Sequence, residues 1–248
     1  MKRRNEGGRF GWIGLMLLVS PAFSQTGPDS VKVVSTALHN SIQFYYQVLG
    51  SEIGMNNGIA YRADIPRASD QGQPYFDSDR WMTGEIWYGG MRYDNVPLRY
   101  DVVRDKVVAL LAPSGIKLEL ISENVKYFTI NDHRFVQLIR TDRNSPIETG
   151  FFELLYDGSV KLYLKWKRNR NELTRSGELE IRYEDQNEIF LQKDDRYFIV
   201  YTKASVLQVF EDKKVMLQKF IKRNHLSFGK HRIESIKKIV AYYELDVE

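Results

Sequence analysis

The spacing of apolar residues changes twice along the chain. Over residues 30–49 apolar side chains recur at the helical period, which predicts an amphipathic N-terminal helix. From Met82 the period becomes two, as in strands, and after Lys203 it returns to that of a helix. Residues 50–80 lie between the first two patterns and are irregular, with several glycines and prolines. A loop of this length must either pack on the domain or carry the function.

Turn residues divide the middle of the chain, residues 82–202, into segments of about eight to twelve residues. This rhythm favours consecutive antiparallel strands, with the last strand at residues 196–202. The polar stretch RNRNELTRSG, residues 168–177, interrupts the alternation and predicts a polar connection. The predicted turns lie at Gly89-Gly90, Arg104-Asp105, Pro113-Ser114-Gly115, Glu123-Asn124, Asn131-Asp132 and Asp157-Gly158.

The stretch GEIWYGGMRYDNVPLRYD, residues 84–101, has the pattern of a hairpin with a two-residue turn at its paired glycines. Such a turn places one apolar face toward the core and leaves Trp87 opposite Arg92 on the other face, within reach of a cation–π contact. Beyond Asn95 the apolar positions change parity, which predicts a bulge near residues 94–97. The predicted buried face consists of Ile86, Tyr88, Met91 and Tyr93.

The tail after residue 203 predicts three helices, at residues 204–210, 212–223 and 230–244. Together these patterns predict the α+β class: a long antiparallel β-meander with an N-terminal helix and C-terminal helices packed on it. We expect the meander to form a curved sheet or a partial barrel rather than a sandwich.

The first 24 residues have the layout of a secretory signal peptide. Four basic residues and one acid precede or flank a short apolar run, residues 11–19, and small residues follow it at a cleavage position after Ser24. The apolar run is too short to cross a bilayer comfortably. We therefore expect residues 1–24 to be removed and residues 25–248 to form a single mature domain. It would comprise the helix and irregular segment (25–80), the meander (81–202) and the helical tail (203–248).

Removal of the signal changes what the charge implies. The whole chain has 36 basic and 32 acidic residues, and the four basic residues and one acid of the signal account for most of that excess. A nucleic-acid partner therefore loses its support. The chain has no cysteine, which excludes disulfides, thiol catalysis and a lipid-modified N-terminal cysteine. We expect a soluble exported protein, in the periplasm or outer envelope, that is not a lipoprotein and has no transmembrane segment after cleavage.

Motifs for nucleotide binding, zinc hydrolysis or a nucleophilic serine are absent from the sequence, and its four histidines lack metal-ligand spacing. We predict no cofactor, metal or catalytic residue, and lean against an enzyme. Asp77 and Asp79 could bind a hard cation or share a proton, although paired aspartates are also common in ordinary loops. Trp81, Trp87 and Arg92 are the remaining candidates for a binding surface.

The helical tail is rich in lysine, and two interpretations remain open. The first is a solvated outer face of helices that dock through their apolar stripes. The second is a contact with anionic envelope material, such as lipid headgroups or acidic glycans.

Three stretches together resemble a family of uncharacterised exported proteins of Gram-negative bacteria. They are YFDSDRWMTGEIWYGGMRYDNVPLRYDVVRD (75–105), GFFELLYDGSVKLYLK (150–165) and the tail at residues 203–244. The family's elements are Y-[DN]-G-x-x-Y-x-N-V-P-L-x-Y-D, G-F-[FY]-x-x-L-Y-D-G and a lysine-rich helical end. The resemblance implies export and these boundaries but no activity. The chain departs from it at NNGIAYRA (56–63), where the family has Tyr-Asn-Gly-x-x-Tyr.

Two functions are compatible with these patterns. The first is a non-catalytic binding or structural component of the cell envelope, whose partner is a protein, a glycan or a lipid headgroup. The alternative is a hydrolase that uses loop carboxylates, with Asp77 and Asp79 as the first candidates.

Overall fold

The computed structural model describes residues 54–55, 57–63, 70–175 and 177–245. The predicted signal peptide, the predicted N-terminal helix and part of the irregular segment lie outside these residues. The described remainder consists of a long antiparallel sheet, a separate two-stranded ribbon and a C-terminal group of helices. The prediction of an antiparallel meander followed by helices is therefore confirmed.

The strands of the described residues are β1 Ile59–Ala60, β2 Met82–Tyr88, β3 Met91–Asp101, β4 Lys106–Leu111, β5 Ile116–Glu119, β6 Val125–Ile130, β7 His133–Leu138, β8 Gly150–Asp157, β9 Lys161–Lys165, β10 Arg168–Arg175, β11 Glu178–Asp185, β12 Glu188–Lys193 and β13 Arg196–Ile199. Eleven of them form the main sheet, in the spatial order β1-β5-β4-β3-β2-β6-β7-β8-β9-β12-β13, and its ends are not joined. Most neighbours in the sheet are also neighbours in sequence, as short turns between antiparallel strands require.

The hairpin of β2 and β3 has the predicted turn and register. Gly89 and Gly90 both have positive φ, 59° and 86°, which a two-residue turn of this kind demands and glycine permits. Trp87 lies opposite Arg92, and the register shifts between Gly84 and Ile86. The extra residue of this bulge is on β3, where Asn95 has a φ of 58°. The bulge near residues 94–97 is thus confirmed, and it explains the change of parity.

The polar connection predicted at residues 168–177 is wrong. Most of it is strand β10, which pairs with β11 along its whole length as a ribbon outside the main sheet. Most side chains of β10 are polar because the ribbon has little sheet face to bury. The usual apolar alternation of a strand is therefore missing.

Three helices follow the sheet: α1 Lys203–Val209, α2 Lys214–Arg223 and α3 Arg232–Leu245. Their bounds lie within two residues of the predicted ones. Thr202 begins α1 with a capping box, in which its hydroxyl accepts from the N–H of Ser205 and the Ser205 hydroxyl accepts from the N–H of Thr202. In the described part of the chain, no helix combines the length and apolar character needed to cross a membrane.

The sheet is strongly curved between β3 and β8. These strands are separated by β2, β6 and β7, so a flat sheet would hold them about 19 Å apart. The rings of Tyr100 on β3 and Phe151 on β8 are instead only 6.2 Å apart, centroid to centroid. The concave side of the curve is therefore filled by side chains from opposite ends of this region.

The described residues form three hydrophobic cores, of which the smallest consists of Ile147, Phe152, Tyr163 and Phe190. The aromatic core fills the concave side, and its rings are Phe76, Tyr88, Tyr93, Tyr100, Phe128, Phe135 and Phe151. The aliphatic core lies between the strands β9 and β12 and the three helices. Its members include Leu162, Leu164, Ile189, Leu191, Val206, Leu217, Ile221, Ile236, Ile239 and Val240.

Candidate functional site

Residues 70–80 pack on the domain and also shape its main groove. Phe76 is only 3% exposed and enters the aromatic core, where its ring lies 5.1 Å from that of Phe135 and 5.0 Å from that of Trp166. The backbone beside it pairs with the end of β3, since the N–H of Phe76 donates to the carbonyl of Tyr100 at 2.8 Å. This part of the irregular segment is therefore a fixed structural element.

The same segment is attached to the ribbon. Arg168 donates from Nη1 to the carbonyls of Gln73 and Tyr75 at 2.7 and 2.8 Å. Gln71 exchanges backbone hydrogen bonds with Ile181 and Tyr183 of β11, at 2.8 and 2.9 Å. The segment thus spans from the end of β3 to the ribbon and holds both in place.

A groove of about 680 Å³ opens between this segment, β3, β5 and β11. We call it the Arg99 groove, after the arginine that β3 supplies. Its lining includes Tyr75, Asp79, Arg99, Lys117 and Tyr183. The volume is in the range of small-molecule binding sites, and aromatic and charged side chains share the walls.

Aromatic rings hold the guanidinium of Arg99. Its Cζ lies 4.2 Å from the centroid of the Trp81 ring and 5.0 Å from that of the Tyr75 ring. Both distances are within the range of a cation–π contact. The Nε of Arg99 is buried and has no hydrogen-bond partner among the described residues. The two rings therefore orient the guanidinium of Arg99, while its Nε–H has no acceptor among the described residues.

The two carboxylates at the groove have different roles. Asp70 accepts a hydrogen bond from the N–H of Ile181 at 3.0 Å, and so helps to attach the segment to β11. Asp79 is exposed at the rim. Arg99 and Lys117 provide the positive charge of the walls.

A second cavity, of about 300 Å³, lies around Tyr61 and Arg104. Tyr61 donates to Oδ2 of the buried Asp101 at 2.7 Å, and burial together with the hydrogen bonds to Tyr75 and Asp101 raises the pKa of Tyr61 far above its usual value. Oδ1 of Asp101 accepts from the N–H groups of Val103 and Arg104, which fixes the turn after β3. The carboxylate of Asp101 therefore has a structural role, because both of its oxygens accept hydrogen bonds that hold this part of the fold.

A buried ion pair joins the two ends of the curve. Lys165 of β9 is 5% exposed and donates to Oδ2 of Asp105 at 2.6 Å and to the carbonyl of Phe151 at 3.0 Å. Burial lowers the pKa of Lys165, although the charge of Asp105 opposes that shift. The pair lies so close to Gly150 that a Cβ there would stand 2.1 Å from Oδ2 of Asp105. Only glycine leaves room for this contact.

Both carboxylate oxygens of the buried Glu153 also have hydrogen-bond partners. Its Oε1 lies 2.6 Å from Nδ1 of His133, and its Oε2 accepts from Nε1 of Trp166 at 2.7 Å. The ring of Phe76 packs edge-on against both partners. Neither carboxylate oxygen is available to act as a general base without breaking this arrangement.

The five candidate surface residues of the sequence analysis lie in two separate regions of the structure. Asp79 and Trp81 belong to the Arg99 groove, whereas Asp77 is exposed in the loop beside it with a φ of 57°. Arg92 lies at the other end of β3, about 23 Å along the strand from Arg99, and Trp87 is opposite it on β2.

The contacts of the second pair differ from those predicted. The cation over the Trp87 ring is Lys126, at 5.4 Å, and not the predicted Arg92. Arg92 binds Glu85 and Asp94 at 2.6 and 2.9 Å. The prediction failed because it considered only the hairpin, while Lys126 comes from the neighbouring strand β6. Trp87 is partly buried, and its ring lies 6.2 Å from that of Tyr127.

Sequence reasoning missed the central residue of the groove. Arg99 alternates with the buried Leu98 and Tyr100, so its outward direction was readable from the pattern. Its two ring partners were not, because Tyr75 and Trp81 reach it through tertiary contacts. Tyr183 was placed on a strand but not identified as a site residue, because the pairing of its strand with β10 was not predicted.

Among the described residues, no group of three or more histidines or carboxylates is placed to share a metal ion. Neither a family model, a curated protein nor a solved structure matches the chain. The geometry of the groove is therefore the main basis for a functional proposal.

Proposed function

We propose that this protein is a non-catalytic binding protein of the cell envelope whose ligand occupies the Arg99 groove. The observation that carries the proposal is the state of Arg99, a cation oriented by Trp81 and Tyr75 with a buried Nε that has no partner among the described residues. A buried donor without a partner costs free energy in the free protein. An acceptor brought by a ligand would remove that cost.

The groove favours a ligand that combines a ring with an anionic group, as an acidic glycan does. Arg99 and Lys117 offer two positive charges to a carboxylate, and guanidinium forms paired hydrogen bonds with such a group. Tyr183 is partly exposed and gives a flat surface on which a sugar ring can lie.

Placement in the envelope rests on the N-terminal sequence. Residues 1–24 have the charge, the apolar run and the small residues of a secretory signal. We propose that they direct export and that the protein acts in the periplasm or outer envelope. Fractionation of cells expressing the full chain tests this part separately, because a protein that stays in the cytoplasm at its full length would contradict it.

Hydrolysis by loop carboxylates has less support. Asp77 is exposed in a turn. The partly buried carboxylate of Asp105 is bound to Lys165, and the buried one of Glu153 is bound to His133 and Trp166. Among the described residues, Asp79 alone lines the groove as an exposed acid. Steady turnover of a glycan or ester that is lost in the double variant Asp77→Asn/Asp79→Asn would revive this alternative.

Titration calorimetry with acidic oligosaccharides and their neutral counterparts tests the binding proposal. We expect Arg99→Met to weaken binding of an acidic oligosaccharide by about 10- to 100-fold, as the loss of a hydrogen bond to a charged group implies. Arg134→Met is the matched control, since Arg134 also lies over a ring, that of Tyr127 at 4.4 Å, but outside the groove.

Two outcomes would overturn the proposal. The first is a wild-type protein that prefers neutral oligosaccharides or binds none of the acidic ones tighter than about 1 mM. The second is an equal loss of affinity in the Arg99 and Arg134 variants. Thermal melts of both variants show whether each has kept its fold.

A further inference from the structure

The helical tail presents cations that the rest of the protein does not neutralise. Lys219, Lys222 and Arg223 of α2 are exposed, and none of them forms an ion pair with a described residue. Val215 precedes them by one turn and is 66% exposed. At spacings of three and four residues these four side chains lie on one side of the helix. We call them the basic helical face.

Cations of the sheet behave differently. Arg92 pairs with Glu85, Lys167 with Glu188, and Arg168 with Asp185, all at 2.6 or 2.7 Å. Part of the positive charge around the strands is thus balanced locally. The contrast shows that ion pairing is available in this protein and is not used on the basic helical face.

Two of the four acids of the tail bind the sheet, whereas Glu211 and Glu234 are exposed. Residues 203–245 hold ten basic and four acidic residues. Of the acids, Asp212 accepts from Lys193 of β12 at 2.7 Å, and Glu244 accepts from the hydroxyl of Ser159 and the N–H of Val160, each at 2.7 Å. These two carboxylates fasten the helices to the sheet. The outward side of the tail is left with a strong excess of positive charge.

A rigid support holds the basic helical face in place. Leu217 and Ile221, on the opposite side of α2, are buried in the aliphatic core. Phe220 stacks on Tyr242 of α3 at 3.9 Å between centroids, with the planes 7° apart. Like charges at such spacing destabilise a helix, so the sequence maintains them at some cost to folding.

We propose that the basic helical face docks the protein on an anionic phospholipid surface. Lysine is a point charge that needs no fixed geometry in its partner, which suits mobile headgroups better than a shaped site. An aliphatic side chain next to such lysines can enter the boundary between headgroups and acyl chains. This surface is separate from the Arg99 groove, so the inference does not depend on the groove's ligand.

Sedimentation of the full chain with phospholipid vesicles tests the proposal. One set contains only phosphatidylcholine, and the other replaces about a third of it with phosphatidylglycerol. We expect binding to the anionic vesicles alone, and a steep fall in binding as salt screens the charges.

Two triple variants with the same change of charge locate the contact. Lys219→Gln/Lys222→Gln/Arg223→Gln should weaken binding to anionic vesicles on the order of 100-fold, from three charges near the surface. The control Lys126→Gln/Arg134→Gln/Lys161→Gln removes three positive charges from the sheet and should change binding by less than about threefold. Val215→Ser should weaken it by a few fold.

Three results would overturn the proposal. They are equal binding to both kinds of vesicle, an equal loss of binding in the two triple variants, and binding of duplex DNA as tight as that of anionic vesicles at the same concentration of phosphate. The last result would identify a general polyanion surface rather than a lipid-docking one.

Discussion

The aromatic core and the aliphatic core stabilise neighbouring parts of one sheet with different side chains. Seven of the nineteen buried members of the first are aromatic, against two of fifteen in the second. The composition follows the partner that each sheet region packs against. Where helices cover β9 and β12, interdigitating Leu, Ile and Val fill the space between two layers.

In the curved region that holds the aromatic core, the concave side is filled largely by side chains of the strands themselves. Phe76 adds one ring from outside the strands. Large rings can reach across such a space, and edge-to-face contacts such as that of Phe128 with Phe151, 5.3 Å apart, satisfy their geometry. The comparison teaches that, in this protein, the curved region is filled with many aromatic rings and the layer under the helices with mostly aliphatic side chains.

The largest predicted effect comes from removing a ring at the centre of the aromatic core. Phe135 contacts Phe76, Tyr100 and Phe128. We expect Phe135→Ala to lower the free energy of unfolding by about 4 kcal/mol, because the lost ring leaves a cavity that several strands border. Ile239→Ala in the aliphatic core should cost about 3 kcal/mol. Urea unfolding of both variants measures the difference, and a greater loss for Ile239→Ala would contradict the comparison.

The next effect concerns the ion pairs of the two regions. Lys165→Met leaves Asp105 without its buried partner at the closure of the curve, and we expect a loss of about 3 kcal/mol. Lys193→Met breaks the more exposed pair with Asp212 and should cost less than about 1 kcal/mol. Chemical denaturation at neutral pH compares them, and equal losses would show that burial does not distinguish the pairs.

The smallest effect is a pH dependence at the attachment of α3. Burial alone would raise the pKa of Glu244, but the hydrogen bonds from Ser159 and Val160 outweigh it, and the pKa lies below its ordinary value of 4.5. A carboxyl with a lowered folded-state pKa stabilises the fold above its unfolded pKa. That contribution is lost as the pH falls through the folded-state value.

Glu244→Gln should therefore lower stability at pH 7 by up to about 1 kcal/mol and have little effect in strong acid. Glu234→Gln is the control, because Glu234 is an exposed acid on the same helix. Thermal unfolding between pH 7 and pH 3 gives both curves. A constant difference between Glu244→Gln and the wild type across that range would rule out the linkage.

Local chemistry made much of this fold predictable. The turn at Gly89 and Gly90, the bulge at Asn95 and the three C-terminal helices follow from residues close together in sequence. A curved sheet or partial barrel was expected in general terms, but the place of the curve depends on distant contacts such as that between Tyr100 and Phe151, which no local pattern reports.

The candidate site was predictable only in part. Asp79 and Trp81 were identified as exposed-surface candidates, but the cation between the rings was not. Arg99 joins Tyr75 and Trp81 from 24 and 18 residues away, so its role appears only when the segment has packed. Strand β10 escaped prediction because it lacks the apolar alternation, whereas the alternation of Leu179, Ile181 and Tyr183 in β11 was readable.

The attachment of residues 70–76 also sets an order of assembly. The hydrogen bonds of this segment join it to Arg168 and Ile181 at sequence separations of 93 to 111 residues. Such distant pairings form late, since the intervening chain must first be arranged. One wall of the Arg99 groove therefore cannot form until the chain has been synthesised through the ribbon, so the groove is among the last features of the molecule to be completed.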